Sequence, residues 1–280
     1  MKKKGILGAV IDELRSEKSR YRLSDLKYWL DFLRNGKLFM TPNELRRAFE
    51  KVFENEDMKP RGDKLLYPRR STKFTVKSGD IPGRDEEALE RFIIVSNNQE
   101  NCCNQFPIGG GKESIDIAIL NDQKRHEFIE LKSWDSEDTP IYAIVEILKN
   151  HFEYQIIKKE KIKHHEKFTC FNEVDLVVLA PRAYYKKYNL INKETALPEN
   201  NNLQLLKKVL NDLSSEFEIN ISLMVLPLEK QTFIEKCNTA CNKYRKQTGK
   251  EEIGITKDDS IPELARDKWE PLVSSDKDLS

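Results

Sequence analysis

Residues Ser114 to Trp134, SIDIAILNDQKRHEFIELKSW, constrain this chain more than any other stretch. Ile115, Ile117 and Ile119 alternate with Asp116 and Ala118. A polar run from Asn121 to Arg125 comes next, and then Phe128, Ile129 and Leu131 interleave with Glu130 and Lys132. A two-residue period on either side of a polar turn predicts two strands joined as a hairpin. Successive side chains of a strand point to opposite faces, so Glu130 and Lys132 share one face. If the hairpin pairs in register, Asp116 meets them there. Two converging carboxylates and an ammonium make a site for a hard divalent cation and a phosphate oxygen.

At 280 residues the chain is long enough to bury a large core. Its formal net charge is only +1, so a nucleic-acid partner would have to be held by a local basic surface. No apolar run approaches the length that crosses a bilayer, and the MKKKGILGAVIDELR start meets acids before any signal-like segment forms. A cytoplasmic location without a membrane partner is the expectation. The five cysteines are Cys102, Cys103, Cys170, Cys237 and Cys241, an odd set without a CxxC pair that fits reduced thiols. Cys237 and Cys241 stand at helical spacing, but no second Cys or His pair completes a zinc set.

In chain order, residues 1–58 read as a helical N-terminal region. Helices are predicted over Ile6 to Arg15 and Leu23 to Leu33, and a third starts with the capping pattern TPNE at Thr41. A helical cap on the main core is favoured over a helix-turn-helix, because no helix concentrates basic or amide side chains on one face. Residues 59–82, with KPRGDKLLYPRRSTK, read as a basic linker. The core is expected over 83–250. It opens with a helix from Arg84 to Val95 carrying Glu86, Glu87 and Glu90, and a short strand is expected near Gln105 to Ile108. Gly109 to Lys112 read as a turn, since a phosphate loop needs Ser or Thr next and then a helix, whereas Glu113 and a strand come after Lys112.

After the hairpin, a long helix runs from Ile141 to about Lys163, and the apolar strands Asp175 to Ala180 and Ile219 to Leu228 are separated by a helix from Leu203 to Phe217. A helix from Thr232 to Lys246 closes the core, and residues 251–280 are expected as an extended tail. The end of the long helix gathers Lys158, Lys159, Lys161 and Lys163, either as a solvated helix end or as a face for phosphates.

With this order of elements in place, the chain resembles the PD-(D/E)XK nuclease superfamily. The residues that carry the likeness are Asp116, then thirteen residues, then Glu130-Leu131-Lys132. Resemblance implies an α/β, restriction-endonuclease-like mixed β-sheet flanked by helices, over roughly residues 83 to 180. It also implies that Asp116 and Glu130 ligate magnesium, with manganese as a substitute, and that Lys132 positions or activates the attacking water. The Leu131 carbonyl is a further implied ligand, and an acid of the preceding helix, Glu87 first and then Glu90, would complete the site. The chain departs from the family pattern in having Ile115 where its name implies proline. Nor does Gln155 precede a tyrosine by four residues, as the RecB-like exonuclease branch requires.

The likeness leads to the expectation of a magnesium-dependent deoxyribonuclease, an endonuclease ahead of an exonuclease. Double-stranded DNA would be its partner and a homodimer its arrangement, as in many such nucleases. The competing expectation is a nuclease-like fold kept as a catalytically silent module that binds nucleic acid or assembles with protein.

Overall fold

A computed structural model of the chain describes residues 8–10, 12–14, 23–38, 40–54, 73–75, 85–97, 102–108, 114–120, 125–159, 173–194, 197–248 and 252–275. Its fold is α/β, with a mixed six-stranded open sheet flanked by helices. The strands are β2 (Cys102–Pro107), β3 (Ser114–Leu120), β4 (Arg125–Leu131), β5 (Glu173–Pro181), β6 (Asn220–Leu226) and β8 (Glu270–Ser274), hydrogen-bonded in the order β2-β3-β4-β5-β6-β8. The β2-β3-β4 half is antiparallel, β4-β5-β6 is parallel, and β8 closes the far edge antiparallel to β6.

Two parallel crossovers run in one direction across the sheet, through α4 (Pro140–Lys159) and α6 (Asn200–Phe217). Because such crossovers share one hand, both helices fall on the same face. Their layer also holds α1 (Leu26–Asn35), α2 (Pro42–Glu54) and α5 (Arg182–Lys187), and all of these share a single apolar cluster with one face of the sheet. The opposite layer holds α3 (Asp85–Ser96) and α7 (Lys230–Thr248), with Ile117, Ile129, Val177 and Leu179 beneath them. Strands covered on both faces bury both sets of side chains, which is why β5 reads as an apolar run from Leu176 to Ala180.

The N-terminal helices form a cap on α4 and α6. Trp29 is fully buried and donates to the Tyr188 carbonyl at 2.8 Å, while Phe49 packs against Phe152 and Phe217. The TPNE box forms as its sequence indicates: the Thr41 N–H donates to Glu44 at 2.7 Å and the Glu44 N–H donates to the Thr41 hydroxyl at 3.2 Å.

Two expectations of organisation are corrected. Within the stretch expected as an extended tail, residues 252–275 are folded onto the core. They supply β7 (Glu252–Gly254), three short 3₁₀ turns and β8, because Ile261, Leu264 and Trp269 bury themselves against α3 and α7. Within the linker range, Lys73–Thr75 form a strand, β1, paired antiparallel with β7. Gly109 to Lys112, His164, His165 and Cys170 lie outside the described residues. Among the described residues no helix is long and apolar enough to cross a membrane. Cys102, Cys103, Cys237 and Cys241 are buried.

Candidate active site

The β3–β4 ladder runs from Leu120 opposite His126 to Ile117 opposite Ile129, and there it stops. One step further along, Asp116 comes opposite Glu130. The Leu131 N–H, which a continuing ladder would have used, donates instead to Asp116 Oδ2 at 2.9 Å. On the other side of β3, pairing holds at Asn104–Ile117 and again at Phe106–Ile115, with Gln105 opposite Asp116 between them. Gln105 has a φ of 50°, in the left-handed region that breaks the regular alternation of a strand. As a result Ile115 and Ala118, three residues apart, pack in one layer, as do Cys103 and Phe106, while Ile117 packs in the other. The Asp116 carboxylate therefore lies between strands, in the plane of the sheet, where Glu86 and Glu90 of α3 and Lys132 just past the end of β4 act on it.

Glu130 and Lys132 project from the end of β4 toward α4. Lys132 is 3 % exposed, and its Nζ lies 2.8 Å from Glu130, 2.9 Å from Glu146 of α4 and 3.2 Å from Asp138. The loop from Ser133 to Thr139 is tied down on three sides. The Tyr184 hydroxyl donates to the Asp138 carbonyl at 2.9 Å, Lys187 donates to Ser136 at 2.8 Å, and Thr139 donates to the Leu23 carbonyl at 2.7 Å. Thr139 also caps α4, accepting from the Tyr142 N–H at 3.2 Å.

Electrostatics at the site arise from too many carboxylates in too little water. Burial pushes Asp116 well above the ordinary range, with Glu86 and Glu90 adding to the rise and Lys132 opposing it. Burial does the same to Glu130, and the Asp116 charge adds to it. Burial alone would lower Lys132, but Glu130, Glu146, Asp138 and Glu86 outweigh it and hold the ammonium well above its usual value. Glu146 is held below the usual range, burial being outweighed by Lys132 and by a hydrogen bond shared with Glu130.

The sequence-predicted acids of α3 divide. Glu90 is buried and acts on Asp116, and burial raises it to about 7. Glu87 points elsewhere, 3.5 Å from Arg91, and Glu86 takes the place expected for it, accepting from the Ser133 backbone and facing Lys132. Glu86 and Glu90 are four residues apart and share a helix face, whereas Glu87 is turned about 100° away. Glu146 was also missed. Its signal was an acid on the same helix as the apolar stripe of Ile141, Ile144, Val145 and Leu148. Nothing in the sequence pointed to Asp138.

The expected basic face is not brought to this site. Lys158 and Lys159 are exposed at the far end of α4, about 18 Å along the helix from Glu146, and Lys161 and Lys163 lie outside the described residues. Lys159 instead borders a cavity of about 420 Å³ with Arg46, His151, Gln155 and Phe217, beside Glu173 and Val174 where β5 begins, at the opposite end of the strands from the site.

Asp116, Glu130 and the Leu131 carbonyl offer oxygen donors only, the set a hard divalent cation prefers. The Leu131 carbonyl faces β3 on the same side as its N–H, since Lys132 is the residue that donates to Leu179 of β5, at 2.9 Å. Asp116 pushes Glu130 upward and is itself pushed upward by Glu86 and Glu90, and this is the repulsion that such a cation would relieve, so these residues fit magnesium in kind. Among the described residues no group of three or more His, Cys, Asp or Glu stands as a metal cage. Comparison with protein-family models, curated proteins and solved structures found no match to this chain.

Proposed function

We propose that this chain is a magnesium-dependent nuclease of restriction-endonuclease-like fold that hydrolyses phosphodiester bonds in DNA. One observation carries the reading: Asp116, Glu130 and Lys132 come together at the end of β4, where the ladder opens and the Leu131 backbone turns toward Asp116. Asp116, Glu130 and the Leu131 carbonyl would hold the ion, and manganese would substitute for it. When bound, the ion polarises a phosphate oxygen and lowers the pKa of water. Lys132 stays protonated beside Glu130, placed to orient the attacking water and to offset negative charge building on the phosphate. Glu86 and Glu90 add acid from α3 on the other side of Asp116. A duplex lying along α4 would place about five base pairs between the cleaved bond and the lysines at the helix end.

The test is cleavage of duplex DNA with Mg²⁺ or Mn²⁺ by the native chain and by Asp116→Ala, Glu130→Gln and Lys132→Met. Each substitution is expected to lower the rate by about 100-fold or more, with far-ultraviolet dichroism unchanged. Cleavage that survives Asp116→Ala, or needs no divalent ion, overturns the reading. One observation favours a silent binding module: three carboxylates surround the Lys132 ammonium, as in a purely structural ion cluster. That reading gains if DNA binding is metal-independent and unaffected by all three substitutions.

A further inference from the structure

Three non-glycine residues among those described have positive φ, and two of them, Asn189 and Glu218, end helices, where a left-handed residue satisfies the last carbonyls. Gln105 alone interrupts a strand. A left-handed conformation at a residue bearing a long side chain persists only where its surroundings enforce it, and such residues gather at functional sites. Its side chain is as constrained as its backbone. Gln105 Nε2 donates to Glu90 Oε2 at 3.0 Å, and Gln105 Oε1 accepts from the Ser114 hydroxyl at 2.9 Å. One residue thus links α3 to β3 directly across from Asp116, and it holds Glu90 against the repulsion between these two carboxylates.

We infer that Gln105 is a positioning residue of this site, which rests on the proposed cation-dependent function. Its left-handed backbone turns Asp116 into the gap between β3 and β4, and its carboxamide fixes Glu90 beside that gap, so both acids are aimed before any cation arrives. No regular strand would do this. With β2 and β3 fully paired, Asp116 would stand on a sheet face instead of in the gap where it accepts from the Leu131 N–H.

The experiment uses full-length Gln105→Leu and Gln105→Asn, read by Mn²⁺ affinity in titration calorimetry and by thermal midpoints with and without Asp116→Ala. Leucine keeps volume but loses the amide and tolerates left-handed backbone poorly, whereas asparagine keeps an amide and tolerates it well. Expected are an affinity about 10- to 100-fold weaker in Gln105→Leu, substantial recovery in Gln105→Asn, and midpoint shifts of Gln105→Leu and Asp116→Ala that do not add. Native Mn²⁺ affinity in Gln105→Leu together with additive shifts overturns the inference. Should the native chain take up no Mn²⁺, the proposed function falls, and the midpoint cycle alone then decides on Gln105: additive shifts overturn the inference and non-additive shifts uphold it. Gln105→Gly removes the carboxamide without straining the backbone and carries the same expectations if the leucine variant does not fold.

Discussion

Lys132 stays charged although almost no water reaches it, because four carboxylates outweigh the cost of its burial. The carboxylates themselves are less well served. Asp116 and Glu130 have folded pKa values above their unfolded ones, so their contribution to stability is present below about pH 4 and is lost as pH rises through the folded values. At neutral pH and without a divalent ion, the pair opposes folding. Asp116→Asn removes one charge and keeps an oxygen for the Leu131 N–H, so in metal-free buffer it should raise the thermal midpoint by about 2 °C or more. Magnesium should raise the midpoint of the native chain and leave that of Asp116→Asn unmoved, as scanning calorimetry would read. A lower midpoint for Asp116→Asn in metal-free buffer would mean that the charge at 116 serves the fold.

Among elements, β4 and α4 carry most of the buried polar groups of the described residues. His126 on β4 and His151 on α4 are neutral, burial lowering each to about 3. A histidine lowered in this way contributes stability that is full above its unfolded value near 6.5 and is lost as pH falls toward the folded one. Replacing His126 by Phe should therefore abolish about 2 kcal/mol of the acid sensitivity that appears between pH 7 and 5, measured by urea unfolding at the two pH values. How much was legible beforehand differs by element. Helices α2 and α6 and the strands β5 and β6 are evident from period and caps, since each buries a stripe or a run that the sequence displays. Asp116, Glu130 and Lys132 were legible because polar residues on half-buried strands are conspicuous. Gln105 was not, because left-handed backbone inside a strand leaves no compositional mark on a residue that is neither glycine nor asparagine. The assignment of Glu87 over Glu86 failed on helix phase, and β8 was hidden because Glu270–Ser274 is half exposed and contains Pro271, an edge-strand composition.

At the scale of the molecule, the first helices belong to the same apolar cluster as the sheet. Phe49 and Phe53 pack on Phe152, and Arg46 pairs with Glu216 at 2.8 Å. A chain begun at residue 83 should therefore fail to fold, showing no cooperative thermal transition, although it retains every residue of the proposed site. A cooperative transition in that fragment would mean that the cap is dispensable. The ties that close the molecule span long stretches of sequence: Trp29 to Tyr188, Arg46 to Glu216 and Asn97 to Arg266. Forming such distant pairs is slow, because closing a long loop comes before any contact repays it. During synthesis the earliest helices emerge with an oily side and nothing to lay it against. They must wait, a natural client for chaperones, until Phe152, Tyr188 and Phe217 have also left the ribosome.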